Sequence, residues 1–523
     1  MALAKLRGKS LGRVIGLIGA VGFILQGYDQ AVANGLLTLA SFIAVFPQID
    51  TLNTEGAQKS HNSTIQGTTV AIYEVGCAIG AFSCGFLGDR LGRRRTIFLA
   101  GCIAIVGVII QATPSLSVNS SPVESTPTNT LFLGLGVGGF TATIPMYVSE
   151  SSGAESRGRM VLLEGWFAIG GVAFATWLEF GLYYAGDSSA AWRFPIAFQS
   201  IFAIFVVSTI LFLPESPRWL AKVGRIEEAA DVLARLEDVS VDSEHVAQEL
   251  EIIRQSLAEG EADESSASSS PFARTKNRHL HRTVLAISVN ILAQMTGVNI
   301  ITFYSDTILE TNLHYSGTIA RIVSGCLQIW QFCAAGLAVL MIDRFGRRPL
   351  LITAAAGMTI AQICLAGLSS DLTNKGAAGA SIAFYFVALF CFPIGLFIVP
   401  FMYAAEIAPL RTRAKVTAMS AAANWIFNFV LAEASPTGFA TIGYKYYIVY
   451  ACISAFGLCF FYFLCPETKG RTLEEIDEIF VMSESFFDTV KIANDMPYQT
   501  ELLAHAEDTE KAGMKAEQIE RVD

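Results

Sequence analysis

Charge is scarce in this chain: Asp, Glu, Lys and Arg together make up 16% of 523 residues, against 52% apolar ones. A mean hydropathy of +0.47 with so little charge excludes an ordinary soluble globule. A basic excess is also lacking. The net charge is -10, with most of the acidic surplus in the central segment and the C-terminal tail, so nucleic acid is not an expected partner. No nucleotide-cradling loop, metal-ligand cluster or nucleophile constellation is present, so neither an enzyme nor a cofactor is expected. The ten cysteines fall in or beside apolar runs, and no extracellular disulfide framework is readable. The N-terminal apolar run after Lys5, Arg7, Lys9 and Arg13 has no small-residue cleavage site, and eleven more runs follow it. It reads as a first membrane span, not a signal peptide.

What the chain does have is a motif stated twice. Asp89-Arg90-Leu91-Gly92-Arg93-Arg94 returns as Asp343-Arg344-Phe345-Gly346-Arg347-Arg348, 254 residues later. Glu150 precedes Arg157 by seven residues, and Glu406 precedes Arg413 by seven. Pro214-Glu215-Ser216-Pro217-Arg218 has its counterpart in Pro466-Glu467-Thr468-Lys469-Gly470-Arg471. Three landmarks repeated in one order imply two joined, similar halves.

About 20 apolar residues cross a bilayer. The predicted spans are 11–33, 66–87, 96–112, 131–149, 160–184, 195–213, 283–308, 317–341, 350–369, 381–404, 415–436 and 446–465. The fold class expected is therefore an all-α membrane protein, with twelve transmembrane helices in two pseudo-symmetric six-helix bundles. Residues 1–214 form the N-terminal bundle, 215–282 a cytoplasmic linker with short helices, 283–465 the C-terminal bundle and 466–523 a cytoplasmic tail. The arginine-rich gaps collect on one side, while the opposite gaps hold no more than one basic residue each. That asymmetry puts both termini in the cytoplasm. Asn62-Ser63-Thr64 is a glycosylation sequon in the first external loop.

Together with Gln294-Met295-Thr296-Gly297-Val298-Asn299 and Asn424-Trp425-Ile426-Phe427-Asn428, these motifs resemble the sugar porter family of the major facilitator superfamily, in its fungal monosaccharide-carrying form. The resemblance runs from about Gly16 to Asp477. It implies a plasma-membrane carrier of a hexose or pentose that works by alternating access, with protons as a second partner. It also implies a cytoplasmic latch of Asp89, Arg93, Glu150 and Arg157, matched by Asp343, Arg347, Glu406 and Arg413. A nutrient sensor built on the same scaffold, or a carrier of a sugar acid or polyol, is the competing reading.

A sugar needs groups that both donate and accept, and an aromatic face for its C–H side. The resemblance assigns these roles to Gln294, Asn299, Gln331, Phe401, Asn424, Trp425 and Asn428. Gln294 and Asn299 lie five apart and need an unwound helix to converge; Asn424 and Asn428 share a helix face. Ala293, Gly165, Gln331 and Phe401 depart from the family's pattern, which predicts a roomier and less polar N-terminal side of the pocket. Asp29, a carboxylate within the first span, is the proton-coupling candidate. The basic partner it has in proton-coupled relatives falls on Thr130. Residues 113–130 are fourteen Ser, Thr, Pro or Asn out of eighteen, which reads as solvated coil that cannot begin a membrane helix. Either foreign coding sequence intrudes there or the basic residue is truly missing.

Overall fold

The structure is a computed structural model and describes residues 6–113, 122–151, 154–264, 270–311, 313, 315–371, 374–409, 412–471 and 473–497. Helix dominates, with no strand among the described residues. Among the described residues, eleven stretches are long and apolar enough to cross a membrane. The eleventh span in chain order, Arg413–Ile442, is 30 residues long but is not one of them. Its length, about 45 Å at 1.5 Å per residue, is ample. Its apolarity is diluted by Asn424, Asn428 and Glu433, residues that face other helices and not lipid. With it the described residues hold twelve spans in two six-helix bundles.

The spans are the first, Gly8–Leu36; second, Gly56–Leu91; third, Arg93–Ala112; fourth, Pro122–Glu150; and fifth, Ala154–Tyr183. The sixth is Ala190–Phe198 with Ser200–Ile210. The eighth, ninth and twelfth are Gly317–Phe345, Arg347–Leu368 and Lys445–Leu464. The seventh and tenth spans are interrupted more deeply than the sixth. The seventh stops at Gln294 and resumes at Val298, turning at Gly297 with φ 82°. The tenth runs from Lys375 to Phe392, passes through a π-helical stretch at Pro393–Phe397, and ends as Val399–Ile407. Broken backbone at membrane depth is tolerated where other helices bury it.

Glycine lets the second and fourth spans approach backbone to backbone. A Cβ on Gly80 would sit 2.1 Å from the Leu135 carbonyl oxygen, and one on Gly138 would sit 2.1 Å from that of Cys77. Lipid supplies no hydrophobic drive between helices, so such close packing is what holds spans together.

Two expectations are corrected here. The fourth helix begins at Pro122, inside the Ser/Thr/Pro/Asn-rich stretch expected to be coil, although its part apolar enough to cross a membrane is Thr130–Glu150, close to the predicted 131–149. A proline at the first helical position has no N–H to leave unpaired, so it can open a helix. Residues 114–121 lie outside the described ones. Asn62 is not an exposed glycan acceptor either. It is 1% exposed, and its amide nitrogen donates to the Asp50 carbonyl at 2.7 Å.

The central segment holds two helices, Ile226–Glu237 and Glu244–Glu264. The tail's Leu473–Met482 is a short helix, tied back to the seventh span by an ion pair between Arg282 and Asp477.

Candidate functional site

The repeated motifs build the same device twice. Gly92 and Gly346 take φ of 90° and 94°, turning the chain sharply between two spans of each half. A Cβ on either would meet a carboxylate oxygen at 2.5 or 2.6 Å, of Glu215 and Glu467 respectively. Those two carboxylates cap the helices that follow. Glu215 accepts from the Arg93 and Arg94 backbone N–H at 3.0 and 3.1 Å, and Glu467 from those of Arg347 and Arg348 at 2.9 and 3.1 Å. An anion there satisfies orphan donors and the helix dipole together. The motif spacing marked Glu215 and Glu467 only as landmarks; their capping role emerges from the fold.

Of the latch candidates, Asp89, Arg93 and Glu150 meet in the N-terminal half, and Arg347 and Glu406 in the C-terminal half. Arg93 donates to Glu150 through two nitrogens, each at 3.0 Å, and to Asp89 at 3.0 Å. Arg347 grips Glu406 at 2.8–3.2 Å in the matching place. Asp89 also pairs with Lys222 of the central segment at 2.9 Å. Arg413 sits at the start of the eleventh span and donates to the Ala408 carbonyl. The side chains of Arg157 and Asp343 lie outside the described residues.

Between the halves lies a connected set of amides. The break after Gln294 folds the chain so that Asn299 donates to the Gln294 carbonyl oxygen at 3.2 Å. Gln294 donates to Asn424 at 2.9 Å, and Asn299 also donates to Asn428 at 2.7 Å. Asn428 then crosses to the N-terminal half and donates to Glu74 at 2.8 Å. Four of the seven residues assigned from the resemblance thus form one chain, ending on a carboxylate.

The other three are placed differently. Trp425 is buried in the apolar cluster that contains Tyr73 and Cys77 of the second span. Gln331 is buried on the eighth span, its carbonyl oxygen without a partner and apart from the amide chain. Phe401 is 41% exposed on the tenth span. Spacing did not point to Gln328. It lies three residues before Gln331, fully buried, and neither of its amide atoms has a partner. The i, i+3 pairing of two glutamines in an apolar span was the available signal.

The room expected at Gly165 is taken up. Ile398 of the tenth span lies where a Cβ would be, at 2.8 Å. Nor is this side less polar, because Glu164 is buried there beside Gly19 of the first span.

A cavity of about 70 Å³ lies mostly in the N-terminal half, lined by Asp29, Tyr73, Glu74 and Thr130 among others, with Phe303 of the seventh span on its wall. Neither oxygen of Asp29 has a hydrogen-bond partner. Thr130 thus lines the same space as Asp29, at the position where a basic residue was expected.

Further toward the end away from the arginine loops, Arg321 ties the halves together. It pairs with Glu310 at 2.7 Å within the C-terminal half. From there it reaches the N-terminal half, donating to the Thr38 hydroxyl at 2.7 Å and the Gly35 carbonyl at 3.2 Å. Its guanidinium also lies 4.1 Å from the centre of the Tyr183 ring. Asn34 continues this seam, donating to Ser305 at 3.1 Å and accepting from the Asp306 N–H at 3.1 Å.

Two pseudo-symmetric six-span halves with a polar path between them define a membrane transporter of the major facilitator fold. The chain belongs to the sugar (and other) transporter family, which matches residues 15–480. It is 36% identical over 461 residues to "MFS-type transporter oryC" of Aspergillus oryzae, covering 87% of this chain and 83% of that one. It is 32% identical over 495 residues to "Sugar transporter STL1" of Saccharomyces cerevisiae, covering 94% and 85%. Among solved structures, it is similar to the proton:xylose symporter XylE of E. coli bound to 6-bromo-6-deoxy-D-glucose. The TM-score there is 0.74 at 25% identity, over 90% of this chain and 100% of that one.

Proposed function

We propose that the chain carries a monosaccharide, a hexose or pentose, across the plasma membrane by alternating access, with both termini in the cytoplasm. The observation that carries this reading is the amide chain from Asn424 through Gln294 and Asn299 to Asn428, at the break in the seventh span. Amides donate and accept at once, as sugar hydroxyls require, and they sit between the halves that must move apart. Residues 1–214 and 283–465 are the rocking halves, 215–282 the linker and 466–523 the tail. The arginine–glutamate pairs form the latch on the cytoplasmic side. A proton partner would bind one of the two carboxylates that line the cavity, Asp29, singled out by sequence, or Glu74.

Labelled uptake in cells lacking their own sugar carriers tests the reading. The panel should cover hexoses, pentoses, sugar acids and polyols, with and without a protonophore. Asn424→Ala removes one acceptor from the amide chain and frees Gln294. Its expected effect is a rise of about tenfold in KM, the worth of about one hydrogen bond, with surface expression intact. Unchanged uptake kinetics would take Asn424 out of the site.

A further inference from the structure

We propose that Glu74 is a proton-binding residue linked directly to sugar binding, and that Glu74, not Asp29, makes the affinity for sugar depend on protons. This rests on the sugar site proposed above. Glu74 is 1% exposed, on the second span. One of its oxygens accepts the hydrogen bond from Asn428; the other has no partner. The same residue lines the cavity that holds Asp29. Glu74 therefore stands where the amide chain and the cavity meet, across the boundary between the halves.

The titratable groups around it are all acidic or neutral. Asp29 faces it from the first span, and Tyr73 and Cys77 neighbour it on its own span. The fourth span contributes Thr130 and Leu133. On the eleventh span, Glu433 lies beyond Asn428 and accepts from Thr68. No lysine, arginine or histidine lines the cavity among the described residues. A buried carboxylate without a cation depends on donated hydrogen bonds to stay charged, and Asn428 is the side-chain donor Glu74 has.

A sugar hydroxyl that accepts from the Asn428 amide takes that donor away. The carboxylate left behind is then stabilised by taking a proton from hydronium in the medium: an O–H bond forms on Glu74, the hydronium O–H bond breaks to leave water, and the sugar is unchanged. Linkage makes the effect reciprocal: protonated Glu74 leaves the Asn428 amide free for the sugar. Sugar and proton then bind cooperatively, and they depart together when either is released. An Asp29 carboxylate, with no contact to the amide chain, has no such route.

The test uses the full chain in proteoliposomes and the panel sugar it carries best. Sugar affinity is read by exchange, which needs no net proton movement. Across about two pH units, the wild-type protein should bind the sugar about tenfold tighter at the acid end, within the usual range of coupling. Glu74→Gln keeps an acceptor for Asn428 and cannot titrate, so its affinity should be flat with pH. Asp29→Asn should keep the slope. A dye assay on detergent-purified wild-type protein adds a readout that needs no variant: sugar should drive proton uptake from the medium.

A pH slope that survives in Glu74→Gln, or one lost in Asp29→Asn alone, overturns the proposal. Saturable wild-type uptake with no pH slope and no proton uptake overturns it as well, while leaving the sugar site standing. Failure of the wild-type chain to carry or bind any panel sugar removes both readings.

Discussion

Arg321→Met should be among the most damaging single substitutions in the chain, costing about 3–5 kcal/mol of stability, the usual penalty for stranding a buried charge. Arg321 is 2% exposed and its partner Glu310 13%, so solvent screens the pair little. Two further carboxylates lie within electrostatic reach of the guanidinium, Glu179 of the fifth span and Asp306 of the seventh. Neither oxygen of Glu179 has a side-chain donor, whereas Asp306 accepts from Ser324. Among the described residues, Arg321 is the one cation acting on all three acids. Removing it strands them together and also cuts the bonds to Thr38 and Gly35 that tie the halves.

Two further variants separate these contributions. Arg321→Lys keeps the charge but loses the planar fork that reaches both halves at once, so it should fall between wild type and Arg321→Met. Adding Glu310→Gln to Arg321→Met should recover part of the loss, since one stranded charge is gone. Thermal unfolding of detergent-purified protein, followed by size-exclusion chromatography, gives the order. An Arg321→Met protein as stable as wild type would show that the seam carries no net stabilisation.

The sequence carried the architecture well because membrane folds are written in local terms. Apolar run length sets the spans, and arginine placement marks the tight loops. The duplicated Asp-Arg-x-Gly-Arg-Arg motif located both tight loops, while the grouping of their arginines with Glu150 and Glu406 came from the family resemblance. Gly297 between Gln294 and Asn299 was a local sign of the break that joins them. Contacts between distant spans leave no such trace. Nothing in the spacing of Glu74 and Asn428, 354 residues apart, announces that they meet. Nothing in the positions of Arg321 and Glu310 announces that they pair beside Thr38 of the other half. The space left by Gly165 was legible, but its filling by Ile398 from the tenth span was not. Composition also misled at Pro122, where a polar stretch that suits a coil in isolation is carried into the fourth helix. A hydrophobic pattern locates helices, and neighbours decide which faces meet.

The second large effect comes from one methyl group on the first span. Gly27 lies where the first and fifth spans cross, and a Cβ there would stand 1.7 Å from the Ala168 carbonyl oxygen and 2.6 Å from its carbonyl carbon. Both obstructing atoms are backbone within a helix, so no side-chain rotation relieves the clash. The reciprocal contact is equally tight, with a Cβ on Gly171 falling 2.2 Å from the Ile24 carbonyl oxygen. Gly27→Ala must therefore push two spans apart along the crossing that also carries Tyr28 and Asp29. The expected cost is about 3 kcal/mol, the upper end of the usual range for overpacking, seen as lower surface expression and earlier thermal unfolding. Gly12→Ala on the same helix is the matched control, because nothing lies within 4 Å of its added methyl. An alanine suits a helix interior better than glycine, so that variant should be neutral or slightly stabilising. Equal behaviour of the two variants would mean that the first and fifth spans do not touch at Gly27. A large gap between them would locate the close crossing that holds Asp29 against the cavity.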